Sequence, residues 1–167
     1  GHVTLVVVPD VRNKNQFSPL EPKVSLDLIT RIEDHLKELC SFFITPQVKN
    51  PVYEQVKLQF KIRFTIDGDF GFYADLLNND LIKYLAPWAY SSDTDIVFGG
   101  HIRKSVLLNF IEELGYVDFV TEFNMYHVVD GSQGTDTDEI KISNPAAILV
   151  SHNQHLITAY QETEVCV

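Results

Sequence analysis

Cysteine is nearly absent: Cys40 and Cys166 are the only two, far apart and without metal-type spacing. That excludes a disulfide-built scaffold and suits a reducing compartment. Long apolar runs are missing too. No stretch approaches the roughly 18 residues that a spanning helix needs, so no insertion into a membrane is expected. Positive charge is scarce, with 13 Lys and Arg against 23 Asp and Glu and a net charge of −10. This balance opposes general binding to nucleic acid or anionic lipid and leaves only local basic patches, such as the loop tip Arg12, Asn13, Lys14, Asn15. There is no nucleophile elbow, no HExxH zinc motif, no P-loop and no dinucleotide fingerprint. From the sequence no catalytic residue, no cofactor and no metal site are assigned. The chain carries no secretory leader and does not open on Met; Gly1-His2 reads as a cloning remnant, so a longer parent is expected.

What is present centres on residues 51–67. Val52, Val56, Leu58, Phe60, Ile62, Phe64 and Ile66 are apolar at even positions, with Glu54 the one exception. Tyr53, Gln55, Lys57, Gln59, Lys61, Arg63 and Thr65 fill the odd ones. Period-two alternation predicts a long, half-buried β-strand. With 167 residues, 45% of them hydrophobic, the chain has enough apolar material to cover that strand in one domain with a small appendage.

Around it, residues 3–9 (VTLVVVP) predict a buried central strand stopped by a proline. Ser25 is a helix N-cap, and the apolar stripe Leu28, Ile29, Ile32, Leu36, Leu39, Phe43 predicts an amphipathic helix over 25–43, with Cys40 as a small core residue. Leu77, Leu81 and Leu85 mark a short helix over 75–85 that Pro87 ends, among core aromatics that include Trp88 and Tyr90. A third helix runs over 102–114, with Gly115 as its stop. Residues 116–129 alternate again, placing Val117, Phe119, Thr121, Phe123, Met125, His127 and Val129 on one face, with His127 a satisfied edge histidine. The polar stretch 130–139 is a loop or hairpin turn, and three short β-like runs follow at 140–142, 147–151 and 156–160. His152 and His155 are the nearest thing to a metal pair. With Cys166 they still lack a fourth ligand.

The order predicts an α+β, two-layer domain over 1–129: a mainly antiparallel sheet of three to four strands with a split β-α-β unit, and all helices on one face. Residues 130–167 are an acidic loop and a C-terminal β-hairpin-like extension. The two long strands are too long for 3–9 to match, so their ends should project, and these ends with the tail are the expected partner contacts. Two other functions compete. A ligand-binding or enzymatic domain would need a cleft joining Asp67, Asp69, Asp93, Asp95 and His101. A nucleic-acid binder would use Lys57, Lys61 and Arg63 beside Tyr53 against the net charge.

The succession of motifs resembles the C-terminal part of baseplate J-like proteins, wedge components of contractile phage tails and related injection systems. The resemblance rests on VTLVVVP at 3–9, SLDLITRIEDHLKELC at 25–40, ITPQVKNPVYEQVKLQFKIRF at 44–64, LLNNDLIKYLAPW at 76–88, FGGHIRKSVLLNFIEEL at 98–114, YVDFVTEFNM at 116–125 and AAILVSHNQHLI at 146–157. Each motif is mostly hydrophobic pattern, and order and spacing carry the case. The resemblance implies a non-catalytic structural protein with no cofactor. It also implies contacts with other wedge, hub or sheath-proximal proteins or a second copy of itself, and assembly in the bacterial cytoplasm into the baseplate of a phage tail or tail-like particle.

Overall fold

A computed structural model describes residues 1–10, 19–65, 68–91 and 94–161. In chain order the elements are β1 (His2–Val6), α1 (Leu26–Leu39), β2 (Thr45–Lys49), β3 (Val52–Phe64), α2 (Phe70–Leu85), a 3₁₀ turn (Pro87–Ala89), β4 (His101–Arg103), α3 (Lys104–Glu112), β5 (Val117–Val129), β6 (Ser132–Asp136), β7 (Glu139–Lys141), β8 (Ala147–Ser151) and β9 (Leu156–Ala159). The class is α+β. Its main sheet has five strands in the order β6-β5-β3-β8, with β9 also on β3.

β3 is the centre, as its alternation requires. Glu54, Val56, Leu58, Phe60 and Ile62 are fully buried. The four apolar ones meet Leu77 and Leu81 of α2, Leu107 and Ile111 of α3, Val117 and Met125 of β5, and Ile140 of β7 in one core. A second cluster joins Leu20, Tyr53, Ile82, Ala86, Trp88, Ile148 and Val150. Trp88 is thus a core aromatic, whereas Tyr90 is exposed.

β5 departs from simple alternation. Met125 lies opposite Leu58 and Val120 opposite Ile62, so β5 carries one more residue than β3 between those pairs. Glu122, with φ of 50°, sits in that interval. An extra residue in one strand is a β-bulge, and it reverses which side chains face the core. Below the bulge Val120 therefore joins the core, whereas Phe119 and Thr121 lie opposite Arg63 and Lys61 on the polar face. The single apolar face expected for 116–129 is corrected accordingly.

The first strand is also misplaced by the sequence reading. Residues 3–9 do not enter the main sheet: β1 pairs in parallel with β2 in a separate two-stranded sheet, where Val3 is 52% and Leu5 41% exposed. A β-α-β unit exists, but it closes on β2, a short strand containing Pro46 that carries little periodic signal. Its helix α1 packs on β2 and buries none of its residues fully, so only α2 and α3 cover the main sheet. Cys40 is half-buried at the end of α1 rather than in a core.

Three further corrections concern the second half. The helix expected over 102–114 begins only at Lys104, because His101–Arg103 pairs antiparallel with β7. The acidic stretch 130–139 does hold a hairpin turn, at Asp130 and Gly131 with φ of 50° and 77°, but it continues as strand β6 rather than as loop. The long strands do not project either. β3 and β5 are both 13 residues long and pair along nearly their whole length. On the other edge of β3, β8 pairs in parallel with residues Val52–Val56 and β9 with Gln59–Ile62. The sheet is therefore mixed rather than purely antiparallel, and the two tail strands pair with β3 and not with each other.

Candidate functional site: buried polar groups and exposed apolar surface

The described residues among those proposed for a ligand cleft do not line one cavity together. Asp69 caps α2, its Oδ1 accepting from the Gly71 N–H at 2.9 Å. His101 lies exposed on β4 opposite Lys141. Asp95 lines a cleft of about 360 Å³ with Val6, Val8, Trp88 and Phe98, among others, but Asp69 and His101 do not line it. Asp67 and Asp93 lie outside the described residues, as do the basic tip at 12–15 and Cys166. Two of the three cations of the polar sheet face are engaged as well: Lys61 pairs with Glu122 and Arg63 with Asp118, each at 2.6 Å, and the Arg63 guanidinium stands over the Phe119 ring.

Glu54, the exception in the alternation, holds the first buried polar cluster. It lies on the covered face of β3 with no exposed surface. A buried carboxylate needs donors on its oxygens. The backbone N–H and hydroxyl of Ser143 both donate to it, and His127 Nε2 lies 2.6 Å from Oε2. The arrangement ties the turn after β7 to two strands of the sheet. His127 is thus a satisfied histidine, as its position suggested. The missed residue is Ser143, whose backbone and side-chain donors no periodicity announces.

His155 holds the second. It is 5% exposed. Its Nδ1 accepts from the Leu58 N–H at 3.1 Å, and its Nε2 lies 3.0 Å from Ser151 Oγ. Burial first, then the charges of His152 and Lys57, push its pKa down to about 3. Both ring nitrogens are therefore occupied within the fold, and His152 Nδ1 accepts from the Gln154 N–H. Among the described residues no group of three or more His, Cys, Asp or Glu is placed to hold a metal ion. No helix among them is long and apolar enough to cross a membrane.

The conspicuous surface feature belongs to the β1–α1–β2 unit. Ser25 Oγ caps α1 by accepting from the Leu28 N–H, and Glu33 reaches β2 to accept from the Val48 N–H at 2.9 Å. These contacts hold the helix on its small sheet without burying its stripe. At its C-terminal end Leu39 is 70%, Phe42 97% and Phe43 79% exposed. The Thr45 N–H donates to the Gly1 carbonyl at 2.8 Å, so the start of β1 lies beside this apolar knob. Leu39, Phe42 and Phe43 are thus three large apolar side chains, close in sequence, with little cover in this chain.

The solved structure of the anti-feeding prophage baseplate, 6-fold symmetrised, contains a chain similar to this one, with a TM-score of 0.63 and 22% identity. The similarity covers 89% of this chain and 29% of that one, so the sequence spans under a third of its structural relative. No curated protein matches. A family model described as "Baseplate protein PVC11-like" matches residues 2–150, and the chain belongs to that family of baseplate proteins.

Proposed function

We propose that this chain is a non-catalytic assembly module of an injection-system baseplate, corresponding to the C-terminal part of a baseplate J-like wedge protein. The observation that carries the reading is the family match, which runs from β1 through β8. Two features support it. Several polar side chains that might have served chemistry, Asp69, Lys61, Glu54 and His155 among them, are used in capping, ion pairs and buried hydrogen bonds. The largest apolar exposures sit together on a small unit outside the main core. The partners on this reading are other wedge, hub or sheath-proximal proteins, or a second copy of the chain, met in the bacterial cytoplasm as the baseplate forms. The test is electron microscopy of particles from cells lacking the parent protein. Free tubes or sheaths without baseplates are expected. Complete, contractile particles made without it would overturn the reading.

A further inference from the structure

On the outer edge of β3, Leu58 lies between the stretch paired with β8 and the stretch paired with β9. In an ordinary ladder this would leave a buried N–H without a partner. Here the connecting turn supplies one. The His152 N–H donates to the Val56 carbonyl at 2.9 Å, and the Leu58 N–H donates to His155 Nδ1. Asn78 of α2 holds the turn from the other side. Its Oδ1 accepts from the His155 N–H at 2.9 Å, and its amide donates to the Asn153 carbonyl. An imidazole that accepts at Nδ1 carries its hydrogen at Nε2. That hydrogen points to Ser151 Oγ, whose own hydroxyl donates to the His152 carbonyl at 2.9 Å. Every polar group is satisfied, provided that the ring is neutral.

We propose that the β8–β9 turn is an acid-releasable latch: neutral His155 stands in for a strand in the β3 ladder, and proton uptake frees β9 from β3 while the α2–α3 core stays closed. A proton on Nδ1 would set one N–H donor against another. The groups that face the ring discourage that proton in the closed state: Lys57 comes from β3, His152 from the turn, and α2 contributes only the neutral amide of Asn78. Released into water, the imidazole titrates near its ordinary value of 6.5. Linkage then gives the sign: the open form binds the proton and the closed form does not, so opening becomes easier as pH falls below about 6.5.

Hydrogen exchange of single amides tests the latch. Between pH 7 and pH 5, after correction for intrinsic rates, protection of Leu58, Tyr160 and the β9 amides should fall about 25-fold. That exchange should depend little on denaturant, because local opening exposes little surface. Leu81 and Leu107 should exchange with the full denaturant dependence of global unfolding. A His155→Gln variant, which keeps an acceptor without titrating, should lose the pH effect. If the 25-fold fall persists in that variant, or if β9 and core amides share one denaturant dependence, the proposal is wrong. The second outcome is read on the unaltered protein and decides the matter even where the variant does not fold.

Discussion

The main sheet and the β1–α1–β2 unit are built from similar materials and end in different states. Both have strands and an amphipathic helix. Around β3, helices α2 and α3 bury Leu77, Leu81, Leu107 and Ile111 completely. In the smaller unit, α1 has an equally regular stripe and buries no residue fully. The difference is geometric. β3 has partners on both edges and helices over one face, whereas two five-residue strands cannot cover a fourteen-residue helix. Amphipathicity therefore identifies a helix that needs a cover, but does not say that the same chain supplies it. In a baseplate protein, the uncovered stripe is where the account places a neighbour.

The contrast can be broken from either side. The largest effect should come from ending the chain after Asp138. That removes β8 and β9 from the edge of β3, together with Ile140, Ile148, Val150 and the Ser143 donors to Glu54. Circular dichroism during a urea titration should show no cooperative transition. A sharp one would mean that the tail is dispensable to the sheet. Next comes Phe60→Ala, which empties a fully buried site where the ring stacks on Phe123. It should cost about 3–5 kcal/mol. Lys61→Ala, one residue away and ion-paired at the surface, should cost about 0.5 kcal/mol or less. Equal losses from the two would contradict the register of β3.

How legible this was in the sequence depended on whether period or pairing decided. β3 was plain because its alternation continues over its full length, and Glu54 was visible as the odd member without its partners being named. The helices were plain from their stripes, and the N-cap at Ser25 was placed correctly. What failed were matters of partnership. The apolar run at 3–9 has the composition of a central strand, yet its edge meets only β2. The bulge at Glu122 left no mark, since a glutamate at positive φ looks like any other in sequence. Residues 147–151 and 156–160 read as a hairpin because they are close together, but both satisfy β3 instead. His155 was weighed as a metal ligand because its spacing from His152 could be seen, while its bond to Leu58, 97 residues away, could not.

On the proposed function, the exposed end of α1 is where a neighbouring baseplate protein docks. A Leu39→Ser, Phe42→Ser double variant tests it most directly, since both side chains are largely exposed. In the isolated chain the unfolding free energy from a denaturant titration should change by about 0.5 kcal/mol or less. In the parent protein the same change should keep it out of purified particles, measured by immunoblot against the sheath. Normal incorporation, or unfolding of the isolated chain, would contradict the account.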